Sequence, residues 1–280
     1  MFYTLLYIVS IVGNIYSHKM KKFKNIIVKN NENGLVRIKL NQPETYNALS
    51  LEVINSLIAI FKKLNTSNKC KVIIIEGSGR GFSAGHNLKE IKSLKNKNLY
   101  KQLFNRCSTL MMNIVNHKKP VIAKVHGAAF AAGCQLVASC DLAYSSNNSI
   151  FATPGVNIGL FCSTPMVALS RKINRKQAMQ MLLTGEPIKA KYAKEIGLIN
   201  DSFPESKLEK EVVKIANIIL SKSNLVLNIG KSAFYKQLEM PLVKAYKYTS
   251  IVMAENMMKQ DAKEGIDSFI NKRKPIWKNK

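Results

Sequence analysis

The sequence predicts an α/β protein built on a largely parallel sheet. Residues 72–75 and 121–125 form short, β-branched runs bounded by glycine, as buried parallel strands do. Each run precedes a glycine-containing loop and a helix-like segment, which places loops 77–85 and 127–133 at strand ends, where α/β proteins assemble their sites. The chain has 280 residues, 46% hydrophobic and 21% charged, enough for one sizeable core.

The elements before the first buried strand have their own signals. Residues 26–40 are predicted to form a hairpin around the polar turn at 30–34, where Gly34 is the permissive residue. Ser50 is predicted to cap a helix, because apolar residues recur after it at helical spacing. These residues are Val53, Leu57, Ile60, Phe61 and Leu64.

Beyond about residue 164 the chain is predicted to be mostly helical. The predicted helices cover residues 165–169, 175–183, 190–196, 208–220, 225–238 and 243–258. We therefore predict a core at 21–200 and a C-terminal helical region at 201–280. Met253, Met257 and Met258 lie at helical spacing, which favours a helix-packing or oligomer contact over a cofactor site.

The N-terminal segment differs from the rest. Residues 2–16 form an apolar run of signal-peptide length, shorter than the ~20 residues of a spanning helix. No acidic residue precedes Glu32, yet the run has no charged n-region beyond the amino terminus, no arginine and no small-residue cleavage site. Residues 1–20 are interpreted as a targeting segment for organelle import, a short membrane anchor or an incidental extension.

Charge and cysteine usage narrow the function classes. The net charge is +26, but only six of the 43 basic residues are arginines, which disfavours nucleic-acid binding while still attracting phosphate groups. The five cysteines lack C-x-x-C spacing and favour a reducing compartment. The histidines His18, His86, His117 and His126 form no cluster with ligand spacing, so we expect no metal site.

Two glycine-rich blocks carry the strongest functional signal. They are EGSGRGFSAGHNLKEI at 76–91 and VHGAAFAAGCQLVASCDL at 125–142. With LNQPETYNALS before them and TGEPIKAKYAKEIGLIN and EGIDSFINKRKPIW after them, they resemble the crotonase (enoyl-CoA hydratase/isomerase) superfamily over residues 26–277. AAGCQLVASCDLA and FATPGVNIGLFCSTP are most similar to its mitochondrial enoyl-CoA hydratase domain-containing protein 3 group.

The resemblance implies a fold, a ligand and an assembly. The fold would be a crotonase-like spiral of ββα units, followed by C-terminal helices that pack subunits together as homotrimers or homohexamers. The ligand would be an acyl-CoA or enoyl-CoA thioester, with no further cofactor. Mitochondrial localisation is favoured, with another organelle or membrane anchoring left open.

The same resemblance assigns binding residues. Two backbone N–H donors, of His86 and Ala132, would form an oxyanion hole, which suits a thioester enolate because its charge lies on one oxygen. Small residues at Ala132 and Gly133 would admit the thioester, and Asn87 replaces the family's aspartate while remaining a good N-cap. Other expected ligand contacts are Tyr46, Ala48, Ala84, Gly85, Leu88 and Lys89, with Lys272 or Lys274 near the CoA phosphates.

The family's catalytic residues are the main departure. Hydratases of the family use two glutamates, and the corresponding positions here are Gln135 and Gly155, neither of which exchanges a proton near neutral pH. Each such group is typically worth 10² to 10⁴ in rate. Two interpretations follow: an enzyme with altered catalytic groups, or a non-catalytic acyl-CoA-binding protein in which only Gln135→Glu with Gly155→Glu creates hydratase activity. The His86 side chain is expected to be incidental.

Few carboxylates in the sequence are candidates to replace the glutamates. Glu76, Glu90 and Glu186 lie in or near the relevant loops, and we expect each to be a helix-terminus or surface carboxylate.

Overall fold

The computed structural model describes residues 23–280, so the predicted N-terminal segment lies outside the described residues. The strands are β1 (Ile26–Asn30), β2 (Leu35–Leu40), β3 (Val72–Gly77), β4 (Val121–Val125), β5 (Ala128–Phe130), β6 (Leu142–Ser146), β7 (Ile150–Ala152), β8 (Ile188–Lys189) and β9 (Asp201–Phe203). A six-stranded sheet has the order β1-β2-β3-β4-β6-β9, and a three-stranded sheet has the order β5-β7-β8. Only β1 pairs antiparallel in the larger sheet, which makes it largely parallel as predicted.

Helices surround the sheets. They are α1 (Leu51–Thr66), α2 (Leu88–Ser93), α3 (Lys97–Val115), α4 (Ala132–Ser139), α5 (Pro165–Leu169), α6 (Arg175–Thr184), α7 (Ala190–Glu195), α8 (Glu205–Leu220), α9 (Asn224–Leu238), α10 (Leu242–Met257) and α11 (Gln260–Ile270). Short 3-10 turns cover Pro43–Thr45 and Pro154–Ile158.

Strand β3 shows how the sheet is covered on both faces. Alternate side chains of a strand point to opposite faces. Ile73 and Ile75 lie in the main core with α1, α3 and α4, whereas Val72 and Ile74 pack beneath α8. Since all four are fully buried, the continuous apolar run was the correct signal for a central strand.

Several local predictions are confirmed. The hairpin of β1 and β2 turns through Gly34, whose φ is +95°. Ser50 caps α1 by accepting a hydrogen bond from the amide of Val53 at 3.2 Å.

Helices α3 and α11 were not among the predicted elements. The larger sheet also continues past the predicted boundary at residue 200, because β9 joins it and α8 covers it.

A partly buried ion pair connects the C-terminal helices to the core. Asp141, at the start of β6, receives the ammonium of Lys231 at 2.6 Å and the hydroxyl of Tyr235 at 2.9 Å, both from α9. It also accepts the amide of Val121 at 2.7 Å. Asp141 therefore has a structural role.

Among residues 23–280 no single helix combines the length and apolar content of a membrane span; α8 and α9 do so only when taken together across a 101° bend. Within the same residues no group of three or more His, Cys, Asp or Glu side chains is arranged to hold a metal ion. All five cysteines are buried, and none of them forms a disulfide.

Candidate active site

The two glycine-rich loops meet along β5. The amides of Phe82 and Ser83 both donate to the carbonyl of Ala128, at 3.0 and 3.1 Å, and Phe130 donates back to Ser83 at 2.9 Å. The loop that follows β3 therefore runs beside the strand that leads into α4. Residues far apart in the sequence are joined here at the carboxyl end of the sheet.

Gly85 makes the closest approach between the loops. Its φ is +90°, a conformation that favours glycine. A Cβ at this position would lie 2.8 Å from the carbonyl oxygen of Phe130 and 3.1 Å from the amide nitrogen of Ala132. Only glycine permits this contact, which places the His86 peptide next to the first turn of α4.

The amides of His86 and Ala132 are available as donors. Neither donates a hydrogen bond to any acceptor within residues 23–280. Ala132 is the first residue of α4, so its N–H is one of the free donors at a helix N-terminus, where the dipole favours an anion. Ala131 before it has φ +48° and ψ −116°, a strained conformation for a residue with a Cβ.

A third segment, residues 46–49, borders the same site. Tyr46 accepts the amide of Ala84 at 2.9 Å, and Leu49 donates to Gly85 at 2.7 Å. Asn47 fixes this segment, because its buried side-chain amide donates to the carbonyls of Ser78 and Gly81, each at 2.8 Å. Sequence analysis did not single out Asn47, although asparagine tolerates its positive φ of 54°.

The other predicted contacts divide into a buried interior and an exposed rim. Ala48, Gly85 and Gly133 are buried. Tyr46 and Leu88 are 45% and 55% exposed, and Ala84 and Lys89 are also exposed. Lys272 and Lys274 lie beyond α11 in the C-terminal tail, where Arg273 between them pairs with Glu264 and Asp267.

Asn87 caps α2, as its residue type predicts. Its side-chain oxygen accepts the amides of Lys89 at 3.0 Å and Glu90 at 3.2 Å. The carboxylate of Glu90 in turn accepts the amide of Leu51 at 3.1 and 3.2 Å, so it caps α1 rather than its own helix. Glu90 therefore acts at a helix terminus.

Glu76 does not fit the expectation of a surface or helix-terminus carboxylate. It is 7% exposed and pairs with Arg37 and Lys124 on neighbouring strands, which also hold Glu209 of α8. The sequence concealed this network because its members are far apart in the chain.

Comparisons with known proteins agree with this architecture. The profile of the family described as enoyl-CoA hydratase/isomerase matches residues 30–280. The chain belongs to the enoyl-CoA hydratase/isomerase family. It is 50% identical over 244 residues to the human protein named enoyl-CoA hydratase domain-containing protein 3, mitochondrial, covering 87% of this chain and 80% of the relative. An orangutan (Pongo abelii) mitochondrial enoyl-CoA hydratase is 32% identical, covering 90% and 85%.

Solved structures give the same result. The crystal structure of human enoyl-CoA hydratase domain-containing protein 3 superposes with a TM-score of 0.88 at 47% identity, covering 90% of this chain and all of that one. An enoyl-CoA hydratase from Mycobacterium smegmatis gives 0.89 at 41% identity, covering 90% and 98%. The crotonase-like fold and the resemblance to the domain-containing protein 3 group are thus confirmed.

In this member of the enoyl-CoA hydratase/isomerase family, Gln135 lies one turn into α4 from Ala132. It is 3% exposed, and its Oε1 accepts the thiol of Cys107 from α3 at 3.9 Å. Burial raises the pKa of Cys107 to about 12, so this sulfur carries its proton and acts as the donor. The amide N–H₂ group of Gln135 therefore remains available as a donor.

Gly155 lies in a closed turn. A Cβ there would lie 2.2 Å from the carbonyl oxygen of Leu160 and 2.8 Å from the sulfur of Cys162. Leu160 also donates to the carbonyl of Gly155 at 2.9 Å, which holds the turn together. No larger side chain fits at 155 without backbone movement, which the sequence comparison alone does not reveal.

Position 133 requires glycine for a different reason from the one expected from the sequence. A Cβ at Gly133 would lie 2.3 Å from the carbonyl oxygen of Ser83. This glycine therefore lets α4 pack against the first loop, rather than clearing space for a ligand. The side chain of Ala132 likewise lies in the main core, so only its amide remains available to the site.

Cys134, in the first turn of α4, is not an activated nucleophile. Burial, reinforced by neighbouring Cys162, raises the pKa of Cys134 to about 12. Because the thiolate is the nucleophilic form, Cys134 is a packing residue.

Proposed function

We propose that this chain binds an acyl-CoA or enoyl-CoA thioester and polarises its carbonyl between the amides of His86 and Ala132. The observation that carries the proposal is that Gly85 brings these two amides together and neither has an acceptor in the described chain. One such donor typically contributes roughly 3 kcal/mol to transition-state stabilisation. The protein would be an enoyl-CoA hydratase/isomerase-type enzyme with altered catalytic groups.

The chemistry that suits this site is proton transfer at the carbon next to the thioester carbonyl. As that proton leaves, negative charge develops on the carbonyl oxygen, where two fixed donors and the positive end of α4 stabilise it. Addition of water is disfavoured, because neither Gln135 nor Gly155 can take a proton from it. The free amide group of Gln135 would hold a substrate oxygen or a water molecule.

The rim would bind the CoA portion. Residues 84–89 and 46–48 would border it, with Lys89 reaching a phosphate and Lys272 or Lys274 supplying further positive charge. The net charge of +26 supports this, since it attracts polyanionic ligands in general. We expect no other cofactor and no nucleic-acid partner.

A non-catalytic role in acyl-CoA binding or in regulating fatty-acid metabolism is the second candidate. The closed turn at Gly155 favours it, because the space for a second carboxylate is filled by the carbonyl of Leu160. Binding without turnover would distinguish this role.

Assembly and location are also proposals. The C-terminal helices expose large apolar side chains, which would become buried in a homotrimer or homohexamer: Leu242, Val243, Tyr246, Met253, Met258, Phe269 and Ile270. Mitochondrial localisation is supported by the word mitochondrial in the names of the two relatives described above.

The test is a panel of saturated and unsaturated acyl-CoA esters, with thermal unfolding and product analysis recorded together. A ligand at 100 times its Kd stabilises the protein by roughly 2.7 kcal/mol, so binding raises the unfolding temperature. Lys89→Gln should weaken the shift, and Lys210→Gln, an exposed lysine on α8, is the matched control.

The outcomes separate the candidates. If no ester raises the unfolding temperature, the thioester proposal is wrong. A shift with product supports the enzyme, and a shift without product supports the binding protein.

A further inference from the structure

We propose that the imidazole of His86 is the base that removes and returns the α-proton of the bound thioester. This inference rests on the function proposed above and deepens it, because that function leaves the proton acceptor unassigned. Three observations carry it: the tautomer of the ring, its unpartnered nitrogen and its packing on the helix that also contacts Gln135.

The hydrogen bond at Nδ1 determines which nitrogen is basic. Nδ1 of His86 lies 3.3 Å from the carbonyl oxygen of Leu49. A carbonyl only accepts, so Nδ1 carries the proton and Nε2 has the free lone pair. Burial also lowers the pKa of His86 below its ordinary value, which keeps the ring neutral near pH 7.

Nε2 is buried and has no hydrogen-bond partner in the described part of the chain. A buried polar atom without a partner is costly, and such atoms are often explained by a ligand or a catalytic role. The other two histidines in residues 23–280 differ. Both ring nitrogens of His117 are hydrogen-bonded, and Nε2 of half-buried His126 lies 2.8 Å from the carbonyl of Gly79.

The ring and the Gln135 side chain contact the same helix, α3. It packs edge-on against Phe104 of α3, with 5.5 Å between centroids. Cys107, three residues later on α3, contacts Gln135. Residues three apart are neighbours on one helix face, so one face of α3 contacts both the imidazole and the Gln135 side chain. The peptide of His86 supplies the proposed oxyanion donor from the same residue.

The proposed step is balanced without a further reactant. The lone pair of Nε2 forms an N–H bond to the α-proton as the Cα–H bond breaks. The electrons of that bond form a double bond between Cα and the carbonyl carbon, and the carbonyl π pair moves to the thioester oxygen, held by the amides of His86 and Ala132. Return of the proton to Cα reverses the step. Its delivery to the γ-carbon of a 3-enoyl ester shifts the double bond.

The experiment measures deuterium uptake at the α-carbon. The purified protein is incubated in D₂O with a saturated acyl-CoA or a 3-enoyl-CoA, and the ester is analysed by mass spectrometry. His86→Ala keeps the backbone donor and should slow exchange by about 10² to 10⁴ while ester binding persists. Added free imidazole should restore part of the rate in this variant.

Two further variants complete the design. His86→Asn retains a donor to Leu49 but has no base. It tests the assignment if His86→Ala folds poorly, and its exchange should be slowed by a similar factor. His126→Ala removes an imidazole that has no place in the proposed site, and this variant should exchange like the unmodified chain. Loss of exchange in both His86 variants, with imidazole rescue, supports the assignment.

The assignment is overturned if either variant binds ester and exchanges at the original rate, or if the unmodified protein binds ester without exchange. Absence of ester binding by the unmodified protein would instead overturn the thioester proposal itself.

Discussion

Substitution of Gly155 by alanine tests whether the turn at 155–162 is closed in the way the structure shows. The added Cβ would lie 2.2 Å from the carbonyl oxygen of Leu160, so roughly 1 Å of backbone separation must be gained to reach ordinary contact. Overpacking of this kind typically costs about 1–3 kcal/mol. For a domain of this size each kcal/mol of lost stability lowers the midpoint temperature of thermal unfolding by about 2–4 °C. We therefore expect this temperature to decrease by roughly 2–12 °C.

Gly230 provides the matched control for this substitution. It lies within α9, and a Cβ there would meet no atom within 4 Å. Gly230→Ala should therefore stabilise the protein by about 0.5–1 kcal/mol, since alanine is the better helix former. Urea unfolding of both variants measures the changes in free energy, and thermal unfolding measures the change in melting temperature.

An unchanged or higher stability of Gly155→Ala would refute the closed turn and would indicate that position 155 can accommodate a carboxylate. If the turn is closed, Gly155→Glu disturbs the site, and the double substitution of Gln135 and Gly155 by glutamate should not produce a hydratase. This outcome would correct the expectation drawn from sequence, in which the double variant restores activity.

Two further predictions concern stability. Ala131→Gly should stabilise the protein by about 0.5–2 kcal/mol in urea unfolding, because relief of strain at φ +48° exceeds the added entropy of the unfolded chain; a loss of stability would contradict the strained turn. Burial lowers the pKa of His117 to about 4 in the folded protein. Between the ordinary pKa of a histidine and about pH 4, the unfolded state therefore binds more protons than the folded state. The free energy of unfolding should fall by on the order of 3 kcal/mol as pH decreases from 7 to 4, and His117→Gln should flatten this dependence; equal slopes for both proteins would contradict it.

The helix starts were predictable because their signals are local. Ser50 and Asn87 each accept amides within three residues, so the capping pattern is complete in the sequence. Helix α3 was missed although its buried residues, Leu103, Cys107, Leu110, Met111 and Ile114, recur at helical spacing. Helix α11 carried a weaker signal, since its buried residues are Asp261 and Ser268.

The proposed roles of the site residues depend on contacts that span long sequence separations. Whether the His86 ring is a base depends on Leu49 and Phe104, from a preceding segment and a following helix. Whether Gly155 can be replaced depends on the path of the chain to Leu160. Neither contact has a local pattern, which is why sequence analysis treated the ring as incidental and the glycine as reversible.

By itself the sequence determined the α/β class, the buried central strands, the capped helices and the two glycine-rich loops, because each depends on neighbouring residues and on apolar periodicity. Only the tertiary structure decided that Gly85 brings the His86 and Ala132 amides together, that Glu90 caps another helix and that Ser83 requires glycine at 133. These are steric and hydrogen-bonding relations between distant segments, and they exist only once the loops have packed against each other.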